Sequence, residues 1–384
     1  MISRFFVKTW GHEECTNDEA RLALFFTTPL IYNPIAFQTG LAQAYRPSKE
    51  NPMSQFRKLL ALIILAISVI PLTNCQRHEA DEKYYLVSTN LQIPYWQTAA
   101  AGFMQSAQQL KVRVEVLGPD TFDPKAEQQA FQKAVQGKAT GILISAADPT
   151  VLNDDINRAI AAGIPVITID SDAPTSKRLF FIGTNNYEAG KTGGQRLATE
   201  LKGKGNVVVF TIPEQANLAE RLRGYRDALE SHPQIKILRV VDIKGDPRIA
   251  FDTATQILGK EKDKVDAFVC LEALAGKEVA TVLSNNDVKN KVVLAMDTDP
   301  DTLEWIQRGV IVATIAQKPY TMSFVGLHML DDLYHNKLNT LDADWAKNSF
   351  APIPAFVDTG SALIDKSNVD AFNQAKKSVI GGRK

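Results

Sequence analysis

The side chains of this chain that could do chemistry are carboxylates, hydroxyls, an amide, a guanidinium and a pair of rings. They recur where apolar runs break off: Ser88 with Tyr95 and Trp96, then Ser145, Asp170, Glu272, Asp297 and Gln317, with Arg221 a little beyond Thr211. Carboxylates accept from hydroxyls, an amide and a guanidinium supply donors, and rings cover C–H faces. Such a set reads a sugar or polyol, whose hydroxyls must be paired when they leave water, because each orphaned polar group costs about 1–3 kcal/mol. Paired carboxylates could also act as acid and base on a glycoside. No His or Cys joins them as a nucleophile system, so the expectation is a binding site without a catalytic residue.

The elements that would position these groups alternate. Tyr84–Thr89 reads as a first strand, Arg113–Leu117 as a second, Gly141–Ser145 as a third and Ile164–Ile169 as a fourth, each followed by a helix-like segment. Ile164-Pro165-Val166-Ile167-Thr168-Ile169 is continuously apolar and β-branched, as a strand buried on both faces of a parallel sheet should be. It stops in Asp170 and Asp172, at the strand end that faces the ligand crevice of an open α/β sheet. Either carboxylate could instead hold a turn. After Gly183 the alternation restarts, with helix Tyr187–Leu201, strand Asn206–Thr211, helix Ala219–Ser231, strand Ile235–Val241, helix Arg248–Leu258 and strand Ala267–Cys270. Helix Leu274–Ser284, strand Val292–Ala295, helix Thr302–Gln307, strand Ile311–Ala316, helix Tyr320–Tyr334 and strand Ala355–Val357 complete it. Two such series predict two α/β lobes. At 384 residues the chain also exceeds what one core fills, since single cores stop growing at roughly 250–300 residues.

Charge and composition narrow the partners. The 43 basic and 43 acidic side chains cancel, so no electrostatic footprint for nucleic acid is present. Cys15, Cys75 and Cys270 show no metal spacing and the five histidines are scattered, so neither a metal nor another cofactor is expected. Gly183-Thr-Asn-Asn-Tyr-Glu-Ala-Gly190-Lys191-Thr192 imitates a phosphate-binding loop, but six residues separate its glycines where the motif needs four. Its small residues Ala189, Gly190, Gly193 and Gly194 are expected to let a helix lie close on its sheet.

Arg57 and Lys58 precede an apolar run, Leu59–Leu72, of about 14 residues, the length of a secretory signal and short for a membrane span. Leu72-Thr73-Asn74-Cys75 resembles the lipobox of bacterial lipoproteins, with Asn74 where a small residue is usual. Residues 53–75 are therefore expected to be a signal peptide and Cys75 a lipid anchor. Residues 1–52, ahead of Met53, show no sustained period and are expected to be an over-extended reading frame.

From about Lys83 to Val357 the chain resembles the periplasmic sugar-binding proteins of the ribose-binding type, the solute receptors of ABC importers. The resemblance is carried by Ser88-Thr89, Pro94-Tyr95-Trp96, Ile164 to Asp170, Arg221-Leu222-Arg223-Gly224-Tyr225, Met296-Asp297 and Ala313-Thr314-Ile315-Ala316-Gln317. It implies two Rossmann-like lobes with parallel sheets joined by a three-segment hinge near Thr184–Asn186, Gln317–Lys318 and Phe356–Asp358. One lobe would comprise residues 83–185 plus 318–357 and the other 186–317 plus 358–384. It also implies that Tyr95 and Trp96 sandwich a sugar ring and that Asp170, Arg221, Asp297 and Gln317 hold its hydroxyls. Ser171 stands where ribose binders carry an arginine, Leu271-Glu272 replaces an Asn-Asp pair and makes Glu272 a substitute contact, and no aromatic falls between Lys244 and Arg248. A hexose, polyol or modified sugar therefore fits as well as ribose.

The implied molecule is a monomeric extracytoplasmic receptor, lipid-anchored in the periplasm or at the cell surface, that hands its sugar to an ABC permease. The same fold in a sensor kinase or chemoreceptor pathway is the alternative. A repressor would need a DNA-reading helix-turn-helix where this chain has its signal-like segment.

Overall fold

In the computed structural model, which describes residues 78–381, the short apolar runs form strands and the segments between them form helices. Residues 1–52, the segment 53–75 and Cys75 lie outside the described residues. Every element below belongs to the compact unit Ala80–Lys384. The first series is β1 (Lys83–Val87), α1 (Pro94–Leu110), β2 (Arg113–Leu117), α2 (Pro124–Gln136), β3 (Gly141–Ile144), α3 (Pro149–Ala161), β4 (Val166–Ile169) and β5 (Phe181–Gly183). The second is α4 (Asn186–Glu200), β6 (Lys204–Thr211), α5 (Ala216–Leu229), β7 (Gln234–Asp242), α6 (Pro247–Lys260), β8 (Ala267–Cys270), α7 (Ala275–Asn285), β9 (Val292–Met296), α8 (Pro300–Arg308) and β10 (Ala313–Ala316). The chain then runs through α9 (Pro319–His335), β11 (Phe356–Asp358), β12 (Ala362–Asp365) and α10 (Val369–Gly381).

The strands build two six-stranded sheets, ordered β11-β5-β4-β3-β1-β2 and β12-β10-β9-β8-β6-β7. Each reverses its order beside β1 or β6, the arrangement that opens a ligand crevice at the strand carboxyl ends. Each lobe has its own core. Tyr84, Phe103 and Phe131 are fully buried in the first and Phe210, Phe268 and Ile306 in the second, each of these side chains worth roughly 1.5–3 kcal/mol of transfer from water.

Helix starts are set by chemistry the sequence carries. Asp123, Asp148 and Asp246 accept backbone N–H bonds at the heads of α2, α3 and α6, each followed by a proline in the first turn. β4 begins at Val166, two residues later than the apolar run: Pro165 offers its carbonyl to Ile142 but has no N–H to give.

Four features differ from the sequence expectation. β12 pairs antiparallel with β10, so the second sheet is mixed rather than wholly parallel. Helix α10 follows it. The third crossing falls at residues 359–361, beyond Phe356–Asp358, because those residues pair with β5 in the first sheet. The glycine-rich run in α4 lies against a helix, not a sheet. A Cβ on Gly190 would sit 2.1 Å from the Arg221 carbonyl oxygen, and one on Gly193 2.1 Å from the Tyr225 hydroxyl. Ala189 alone of that group turns toward the sheet side, among Met296 and Ile315. Gly102 performs the same service in the first lobe, letting α1 approach α9 at Tyr320.

Candidate functional site

Asp170 and Asp297 occupy the same place in the two lobes, each the first residue past its strand. Both adopt the left-handed backbone, with φ of 61° and 68°, which costs a residue with a Cβ roughly 1–2 kcal/mol. The N–H of Asp170 donates to Ile182 on β5 and that of Asp297 to Ile315 on β10. The ladder therefore continues one residue while the side chain turns off the sheet edge into the space between lobes. Strain of this kind gathers at binding sites.

Around the two aspartates a cavity of about 60 Å³ is lined from both lobes, by Tyr95, Trp96 and Asp170 on one side and Asn217, Arg221 and Asp297 on the other. Gln317 and Glu272 also line it. Tyr95 donates its hydroxyl to Asp170 Oδ1 at 2.6 Å, and Ser145 donates to Oδ2 at 3.3 Å. Trp96 donates its Nε1–H to Thr89 and stands edge-on to Tyr95, with ring centroids 5.3 Å apart. Arg221, only 2 % exposed, spends its donors on neutral acceptors: Nε on Asn186 Oδ1, Nη1 on the Leu271 carbonyl and Nη2 on Gln317 Oε1. Gln317 passes the chain on, donating to Asp297 Oδ1 at 2.9 Å. Asn186 and Gln317 belong to two of the segments that cross between lobes, so Arg221 ties the crossings to the site.

Burial dominates the electrostatics. It pushes Asp297 up to about 7, against the pull of Arg221 and the Gln317 hydrogen bond. Burial likewise raises Asp170, opposed by Arg221, Tyr95 and Ser145. Glu272 is pushed up to about 7 by desolvation, opposed by the N–H groups of Leu274 and Ala275. The carboxylates outnumber the lone guanidinium. Such a site favours a guest that brings hydrogen-bond donors, since these stabilise the ionised form.

The predicted residues do not all meet the cavity. Ser88 is fully buried behind it, with its hydroxyl toward the Leu117 carbonyl at 3.5 Å. Ser145 supports Asp170 from behind. Glu272 lines the cavity, but its two oxygens already accept from Leu274 and Ala275 at the head of α7. Asp172 turns away from Asp170 and forms a two-bond ion pair with Arg178, both bonds 2.6 Å. Asn217, which the sequence reading passed over, reaches across from α5 to Asp170 Oδ2 at 3.5 Å. Its signal was position, since it lies in the first turn after a strand end.

Residues 84–338 match the model of the periplasmic binding protein domain. The chain belongs to that family. Among its curated relatives is the D-allose-binding periplasmic protein of Escherichia coli, 25 % identical over 264 residues that cover 66 % of this chain and 85 % of the relative. The ribose import binding protein of Bacillus subtilis is 22 % identical, with coverage of 72 % and 93 %. Similar solved structures include an arabinose-binding protein from Geobacillus stearothermophilus, 33 % identical with a TM-score of 0.63, covering 76 % of this chain and 99 % of that one. A glucose-galactose binding protein from the same organism is 29 % identical with a TM-score of 0.69 and the same coverage. The chain is thus a periplasmic sugar-binding protein of the ribose type, in a family of substrate-binding proteins rather than enzymes.

Proposed function

We propose that this periplasmic binding protein captures a monosaccharide or related polyol between its lobes and delivers it to an ABC importer. The observation that carries the reading is the convergence on one cavity of Trp96 and Asp170 from the first lobe with Arg221 and Asp297 from the second. Residues distant in sequence meet only when the lobes are together, so a guest that bridges them shifts the population toward the closed form. Asp170, Arg221, Asp297 and Gln317 take the sugar hydroxyls, and Tyr95 and Trp96 cover its apolar face. Residues 83–185 with 318–358 and residues 186–317 with 362–381 move as the two bodies. Lipidation at Cys75 would keep a monomeric receptor at the membrane where its permease works.

Energetics allow it. Micromolar affinity requires about 8 kcal/mol, and hydrogen bonds to charged groups contribute roughly 1.5–3 kcal/mol each before association costs. A thermal-shift screen of the purified chain against pentoses, hexoses and polyols tests the reading. A micromolar ligand at a hundredfold excess adds about 2.7 kcal/mol of stability and raises the melting point, and Asp170→Ala removes that rise while leaving the unliganded melting curve cooperative. A chain that no sugar or polyol stabilises, or an Asp170→Ala protein that responds as fully as the parent, contradicts it.

A further inference from the structure

Phe122 lies on the loop from β2 to α2, directly before the capping Asp123 and Pro124. Gly245 lies on the loop from β7 to α6, directly before the capping Asp246 and Pro247. β2 and β7 are the corresponding outer strands of sheets built in the same order, so these loops are counterparts, and they meet across the cleft. One position carries a benzyl group; the other carries no side chain. A Cβ added to Gly245 would fall 2.3 Å from Phe122 Cβ and 2.7 Å from its Cγ, so the contact exists only because position 245 is bare.

Phe122 also sits in the wrong core. Its loop belongs to the first lobe, yet its ring packs against the hydrophobic core of the second. An apolar residue just ahead of an N-cap usually packs on the fourth residue of its own helix. Here that residue is Glu127, a buried carboxyl that accepts from the Ala147 N–H, so the ring does not meet an apolar side chain at that usual position. Phe122 and Gly245 both line the cavity that holds Asp170, Arg221 and Asp297.

We propose that Phe122 is an apolar hook that holds the cleft shut: on closure its ring leaves water, seats on Gly245 in the opposite lobe and walls the bound sugar. It supplies an aromatic wall where residues 244–248 of the facing loop carry none, and it sets affinity through the closed fraction. The inference rests on the hinged-capture reading above.

The test compares the full chain with its Phe122→Ala and Phe122→Leu variants, using D-ribose, D-allose and D-arabinose as probes in calorimetric titrations and small-angle scattering with and without sugar. Phe122→Ala should bind the sugar about tenfold more weakly and be more extended at equal sugar concentration, with cooperative unfolding retained. Phe122→Leu, still apolar, should stay within about threefold of the parent. An Ala variant with parental affinity and compactness overturns the proposal, as does a Leu variant as impaired as Ala. If these three fail, the sugar or polyol that stabilises the parent in the thermal-shift screen replaces them; if none does, the capture reading itself fails and the hook is judged on scattering of the unliganded proteins, where an Ala variant no more extended than the parent rejects it.

Discussion

Asp297 is buried, accepts a bond from Gln317 and is pushed up to about 7 by desolvation. In the unfolded chain the same carboxyl titrates near its ordinary value of 3.8, so between those values the folded state keeps a proton that the unfolded state has released. Its contribution to stability is fully present below about pH 4 and is lost as pH rises toward 7, with a ceiling of a few kcal/mol. Asp297→Asn keeps the acceptor for Gln317 and removes the titration. The variant should therefore gain melting temperature over the parent at pH 7.5 and lose most of that advantage at pH 5. An offset that is the same at both pH values would show that Asp297 titrates alike in the folded and unfolded chain. At this scale the sequence pointed to Asp170 and Asp297 because each follows a strand end, where the fold presents side chains to a crevice, and to Arg221 through its place in the helix after Thr211 and the resemblance carried by Arg221-Leu222-Arg223-Gly224. Glu272, chosen because its type suits a hydroxyl, lines the cavity while its oxygens also accept from backbone N–H groups two and three residues on.

Helices α4 and α5 meet through glycines, and that contact reaches the site because Arg221 stands on α5. A methyl on Gly190 must displace the Arg221 backbone, and one on Gly224 would lie 2.1 Å from the Tyr187 carbonyl oxygen. Gly190→Ala should cost about 1–3 kcal/mol, the usual penalty of overpacking, and weaken sugar binding by moving the guanidinium. Gly259, exposed on α6 with nothing within 4 Å of an added Cβ, is the control: Gly259→Ala should stabilise by about 0.5–1 kcal/mol. Urea denaturation of both variants checks the pair, and similar destabilisation by both would contradict the packing account. The strands and most helices were legible because β-branched runs, Asp-Pro caps and terminal glycines act locally. The partner of the α4 glycines was not, since small residues announce a close approach without naming what approaches. β12 escaped notice because Ala362-Leu363-Ile364-Asp365 is a short run that becomes a strand only by pairing at the edge of an existing sheet.

The whole molecule repeats one plan twice. The sheets share a strand order, Asp170 and Asp297 end equivalent strands with the same left-handed turn, and the loops before α2 and α6 face each other as ring and bare backbone. Two lobes were foreseeable from the restarted alternation, but which loops touch was not, because residues 122 and 245 are brought together only by closure. A second cavity of about 260 Å³ shares Tyr95, Asp297 and Gln317 with the first and opens toward Tyr320 and Phe372, so the hinge side of the cleft has room that the closed site itself does not. Everything proposed for transport depends on one guest touching both halves. A crystal structure of the chain with the sugar that stabilises it tests this most directly: the account predicts the ring beside Trp96, with its hydroxyls within hydrogen-bond reach of Asp170 on one lobe and Arg221 or Asp297 on the other. A sugar held by a single lobe, or seated away from these side chains, would contradict it.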